Sequence, residues 1–179
     1  MLILAIDPGA VSRPANRRPS DPEEQRHGWC TLRILPDQRP EWCDAGHDLD
    51  AEVSNKLRAI GVNVVAVERP AGYIHEHARG AALLETAYAA GLLMGRAEGA
   101  GKVAHAISAE QWRGCVVGLT SPSDAQVKAA LGRLLTLPAR SNAHERDACG
   151  VGLGWALRSG ALVGGKGRRL PAVATSPTP

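Results

Sequence analysis

The chain of 179 residues has no phenylalanine, and four Trp and two Tyr are all its aromatic side chains. With 44% apolar and 22% charged residues it keeps the balance of an ordinary folded protein, so neither this lack nor the wealth of Ala, Gly and Arg marks a functional class. Paired cysteines are also missing. Cys30, Cys43, Cys115 and Cys149 form no C-x-x-C motif, the usual mark of a zinc or thiol-redox site. Cys30, Cys43 and His47 are zinc-type donors, but no fourth ligand stands at a suitable spacing, and buried thiols in a reducing compartment are the better reading. No apolar run reaches membrane-spanning length, and no signal-peptide pattern precedes the first strand, so a cytoplasmic protein is expected. A strong charge excess is absent as well. The net charge is +3, of which residues 158–179 carry +4 (Arg158, Lys166, Arg168 and Arg169, with no acid), leaving −1 for residues 1–157. A nucleic-acid ligand is permitted, but local basic patches would have to grip it.

What is present is a mixed α/β pattern. "LILAI", residues 2–6, is continuously apolar, as a strand covered on both faces requires, and it ends at Asp7. Residues 8–27, rich in Pro, Arg and Ser, read as a long loop. Segments 28–35 and 41–49 read as two more strands, 50–60 as a short helix, and 62–68 as a second buried strand ending in Glu68. A long helix is expected over 76–98 and a short strand over 102–107. Ser108 and Gln111 have capping-box spacing for a helix that carries Trp112 and Arg113. Ser121-Pro122 opens another helix, with proline at its first position. Asn142 and Glu145 cap a last helix over 141–158. Length favours one domain, here residues 1–159, with 160–179 a basic, unstructured tail. The first three strands should pair antiparallel, and the later ones should join in parallel through helical crossovers.

The acids fall where such a sheet puts its sites. If the strands of Asp7 and Glu68 are parallel neighbours, both carboxylates emerge at the same end of the sheet. On the last helix His144, Asp147, Ala148, Val151 and Trp155 share one face, so two ionisable groups begin an otherwise buried stripe. A buried carboxylate needs a cation, a metal or a strong donor. If that helix reaches the strand ends, three carboxylates and an imidazole converge and repel unless neutralised. Hard oxygen ligands suit Mg²⁺ or Mn²⁺, and two such ions about 4 Å apart activate water and stabilise the leaving oxygen of a phosphodiester.

"ILAIDPG", "VAVERP", "QWRGCVVGL", "AQVKAALGRLLTLPA" and "HERDA", in this order, resemble the RuvC family of Holliday-junction resolvases within the ribonuclease H-like superfamily. The resemblance covers residues 2–7 and, nearly unbroken, 62–158. It implies a ribonuclease H-like mixed sheet flanked by helices, and a homodimeric, Mg²⁺-dependent endonuclease that cuts four-way DNA junctions. Mn²⁺ would substitute. Asp7, Glu68 and Asp147 match the acidic metal ligands. His144 matches a position held by Asp or His, which binds metal or orients the attacking water. Arg113 matches a basic residue that contacts scissile-strand phosphate. Three departures stand out. The loop after the first strand is long, and its Arg13, Arg17 and Arg18 are either a solvated surface or a phosphate-contacting arm. A family lysine corresponds to Asp124, and Lys128 one turn on is the candidate replacement. Tyr73 is the nearest candidate for the family's stacking aromatic, displaced by two residues. The long helix, with Ala82, Ala89, Leu93 and Ala97, either joins a dimer interface or packs only on its own sheet.

Other readings share parts of this pattern. A ribonuclease H-like nuclease acting on RNA–DNA hybrids or flaps would carry the same cluster. An actin-like ATPase also has D-x-G after a strand, but no second Gly-rich phosphate loop is found. A non-catalytic junction-binding protein would not need all four candidate ligands.

Overall fold

The two uncharged runs, 2–6 and 62–67, become neighbouring strands at the middle of a five-stranded sheet. The computed structural model describes residues 1–12, 24–35, 38–70, 80–137 and 141–162. In chain order these form β1 (Leu2–Ser12), β2 (Glu24–Arg33), β3 (Glu41–Leu49), α1 (Asp50–Leu57), β4 (Val62–Arg69), α2 (Gly80–Gly99), β5 (Val103–Ser108), α3 (Ala109–Val116), α4 (Asp124–Leu134) and α5 (Ala143–Arg158). The sheet order is β3-β2-β1-β4-β5. The first three strands pair antiparallel, and β1–β4 and β4–β5 pair parallel, as the sequence predicts.

Alternate residues of each strand feed two cores. Ile3, Ala5, Cys30, Leu32 and Ala66 face α3, α4 and α5, while Leu4, Ile6, Trp29, Val65 and Val67 face α1 and α2. His27 is fully buried; its Nε2 lies 3.2 Å from Asp50 Oδ1, and Asp50 in turn accepts from Arg96 at 2.7 Å, tying β2 to α1 and α2. Among the described residues no helix is long and apolar enough to cross a membrane.

Two sequence expectations need correction. First, β1 continues to Ser12 and β2 begins at Glu24, so residues 8–12 and 24–27 are strand rather than loop. Their register shifts between Pro8 and Val11, a bulge that lets Pro8-Gly9 stay in a ladder. Arg13, Arg17 and Arg18 lie outside the described residues. Second, α4 starts at Asp124 with Ser123 as its N-cap, one residue beyond Pro122. Ser123 N–H donates to Gln126 Oε1 at 2.8 Å, and this reciprocal cap outweighs the preference of proline for a first turn. Of the two alternatives for α2, Leu93 and Ala97 pack against their own sheet and Ala89 is buried, while Leu84 and Tyr88 are exposed; the side chain of Ala82 lies outside the described residues. Beyond α5 residues 160–162 are described, and residues 163–179 lie outside the described residues. Gly160 takes φ 74°, and Leu162 N–H donates to Ala156 O at 2.9 Å, which closes the end of α5.

Candidate active site

The site opens where the central strands part. β1 pairs with β4 only up to Ile6↔Val67; Asp7 then pairs with Gly28 of β2, and Glu68 with Ile107 of β5. The two carboxylates therefore flank a crevice at the carboxyl end of the parallel strands.

α5 carries the other two predicted groups to this crevice. Its first turn is fixed by the predicted capping box: Glu145 N–H donates to Asn142 Oδ1 at 2.8 Å, and Asn142 N–H to Glu145 Oε2 at 2.9 Å. His144 Nδ1 lies 2.9 Å from Asp7 Oδ2. This approach needs a glycine below it, since a Cβ on Gly28 would stand 2.7 Å from the His144 Cβ. On its other side the His144 ring stacks on His47 of β3, with centroids 4.8 Å apart and planes 11° apart.

α3 supplies the remaining partners. The fully buried Trp112 donates from Nε1 to Glu68 Oε2 at 2.7 Å. It fits into a notch of α5, where a Cβ on Gly154 would come within 2.7 Å of the Trp112 Cα and one on Gly150 would strike its ring. The next residue, Arg113, reaches Asp147 Oδ2 from Nη2 at 3.3 Å, with its guanidinium 5.1 Å from the Trp112 ring centroid. Asp147 is thus a half-buried carboxylate with a cation partner, as its place on the helix face requires.

The electrostatics are those of crowded acids. Burial first, then the charges of Asp7 and Asp147, push the Glu68 carboxyl up to about 7, against the opposing hydrogen bond from Trp112 and the charge of Arg113. Asp147 is also raised, by burial and then by Asp7. His144 is raised by its hydrogen bond to Asp7 and by the surrounding carboxylates. Each carboxylate is turned to its own protein donor, and among the described residues no three His, Cys, Asp or Glu side chains are gathered into a ready metal cage.

Asp7, Glu68, His144, Asp147 and Arg113 are brought together. Lys128 is exposed on α4, one turn beyond Asp124, whose charge reaches Asp147. Tyr73 lies outside the described residues. Sequence reasoning assigned no site role to Trp112 and considered His47 only as a zinc donor. Trp112 held a signal, sitting between a cap and Arg113 on a helix that must approach the glycines of α5. The zinc-type donors are dispersed: Cys30 Sγ lies 2.8 Å from Cys149 Sγ in the core, and Cys43 is exposed.

No protein-family model and no curated protein sequence matches the chain. Solved structures do. RuvC of T. thermophilus in complex with a Holliday-junction substrate superposes with a TM-score of 0.69 at 17% identity, over 89% of this chain and 94% of that one. Another Thermus thermophilus RuvC structure gives 0.67 at 17% identity, over 90% and 96%. The yeast mitochondrial Holliday-junction resolvase Ydc2 gives 0.56 at 12% identity, over 89% and 81%. At these identities the likeness is one of fold: the chain has the ribonuclease H-like architecture of RuvC-type resolvases.

Proposed function

We propose that this protein is a metal-dependent, structure-selective endodeoxyribonuclease that hydrolyses phosphodiesters in four-way DNA junctions. The observation that carries the reading is the meeting of Asp7, Glu68 and Asp147 from two parallel strand ends and one helix, close enough that the charge of Asp7 opposes the ionisation of the other two. The shared fold with a resolvase seen on a Holliday junction supports the choice of substrate.

The donor set fits a hard divalent cation in charge and in atom type: carboxylate oxygens that repel one another and are balanced here by Arg113 and His144. Asp7, Glu68 and Asp147 would hold Mg²⁺ or Mn²⁺, one ion or two, with His144 at the margin. Such an ion, when bound, supplies positive charge to the scissile phosphate and acidifies a bound water. The chain's own groups divide the remaining work. His144 uses Nδ1 on Asp7, leaving the outer edge of its exposed ring to orient a water or take its proton. Glu68, raised to about 7, would have to give up its proton before it could hold a cation, so proton and metal compete for it. Arg113 is half-buried, its Nε finds no partner among the described residues, and its guanidinium can hold a non-bridging phosphate oxygen once Asp147 is otherwise occupied.

A two-fold substrate is best cut by a two-fold enzyme. A second copy would meet α2 on its outer side, where Leu84 and Tyr88 are exposed and Gly91 and Gly95 have open space above them. The test is cleavage of a labelled four-way junction beside an RNA–DNA hybrid and a flap, with Mg²⁺, Mn²⁺ or EDTA. Metal-dependent, paired nicks in the junction are expected. Asp7→Asn, Glu68→Gln and Asp147→Asn should each abolish cleavage and spare junction binding, because phosphate contacts supply most of the affinity. Preference for hybrid or flap would overturn the substrate while keeping the nuclease; retained cleavage in any variant would overturn the role of that carboxylate, and no cleavage of any substrate by the parent would overturn the nuclease.

A further inference from the structure

We infer that His47 is a positioning residue of this site, which holds the ring of His144 in the plane that serves Asp7. The placement follows from strand register. Asp7 pairs with Gly28, and Gly28 pairs with His47, so the three form one row across β1, β2 and β3. Members of such a row project from the same face of the sheet. Strands lie about 4.8 Å apart, so Asp7 and His47 bracket a gap of about 10 Å whose floor is a glycine. His144 comes down into that gap from α5, with its backbone carbonyl and Cβ packed against Gly28. One side of its ring meets Asp7 through Nδ1, and the other lies nearly parallel on His47.

The hydrogen bond alone does not fix the ring. A single contact at Nδ1 leaves rotation about the Nδ1···O line, and the outer torsion of histidine has broad minima. A parallel aromatic face removes that freedom, because turning the ring would drive its edge into His47. The stack therefore sets where Nε2 points. Such a role needs the plane of His47 and not its nitrogens. Its place in the register is the signal: a hairpin whose glycine faces a catalytic acid on one side and an aromatic ring on the other is a seat for a ring from outside the sheet.

The catalytic consequence rests on the proposed nuclease reading; the contact itself does not. The test compares His47→Ala with His47→Phe. The ring-proton resonance of His144 is identified by its loss in His144→Ala. It should move in His47→Ala, where the ring current of the neighbour is gone, and stay displaced in His47→Phe. With the junction as substrate, His47→Ala should lower kcat about tenfold with junction affinity unchanged, and His47→Phe should restore most of it. An unmoved His144 resonance in His47→Ala, or equal loss of turnover in both variants, would overturn the inference. If Asp7→Asn still cleaves, the assignment of cleavage to this site falls, while the resonance of His144 still decides the contact.

Discussion

Glu68 is held in a state that costs the fold stability whenever it ionises. Its carboxyl is raised from 4.5 to about 7, so between these values the folded chain keeps a proton that the unfolded chain has lost. The stabilisation this provides is complete below about 4.5 and disappears as pH rises through 7, a change of about 3 kcal/mol at most. Asp147 and His144 are raised too, and act in the same sense. His27 and His47 are lowered by burial and act in the opposite sense over the same range, so the fall in Tm from pH 5.5 to pH 8 without divalent ions should be larger in the parent than in Glu68→Gln, and Mg²⁺ or Mn²⁺ should raise the parent's Tm more at pH 8. Glu68→Gln should increase Tm at pH 8 while ending cleavage, the opposite of a residue retained for stability. Scanning calorimetry at both pH values checks this; a Glu68→Gln protein less stable than the parent at pH 8 would contradict it.

Helix α5 carries the strongest conflict between local preference and tertiary need. Glycine inside a helix costs about 1 kcal/mol relative to alanine, yet α5 holds Gly150, Gly152 and Gly154 in its buried half. By propensity alone Gly154→Ala should stabilise. Its Cβ would instead meet the backbone and side chain of Trp112, and overpacking of this kind costs about 1–3 kcal/mol. Net destabilisation is expected in urea unfolding, together with loss of turnover as Trp112 is pushed off Glu68. The elements were legible in the sequence where the signal was local. The apolar runs placed Asp7 and Glu68, and the pairs Ser108–Gln111 and Asn142–Glu145 marked helix starts because each closes its own hydrogen bonds. What depended on a partner strand or helix was not legible. β1 runs past Pro8-Gly9 because β2 continues beside it, and His47 enters the site only through the register of a hairpin. The inward face of α2 was ambiguous because its small residues suit a sheet and a second helix equally.

For the whole molecule, the proposed dimer makes a prediction at the outward face of α2. Tyr88→Glu, exposed and away from the core, should leave the fold intact and convert a dimer to a monomer with little junction cleavage. Sedimentation at micromolar concentration measures the mass; a monomeric parent with full activity would exclude the dimer. At the other end, truncation after Leu162 keeps the hydrogen bond that closes α5 and removes Lys166, Arg168 and Arg169. Loss of these three charges should weaken junction and plain duplex alike and reduce the salt slope by about 2–3. Titrations at two salt concentrations read this directly.

The groups of the site are also separated in time. Asp7 and Glu68 leave the ribosome early, whereas His144 and Asp147 follow only when α5 is made, and α5 is also what covers Ala5 and Leu32 on one side of the sheet. A nascent or prematurely released chain thus has neither its full set of reacting groups nor the packing to hold them. On the proposed nuclease reading, a chain whose synthesis stops before α5 would leave DNA uncut.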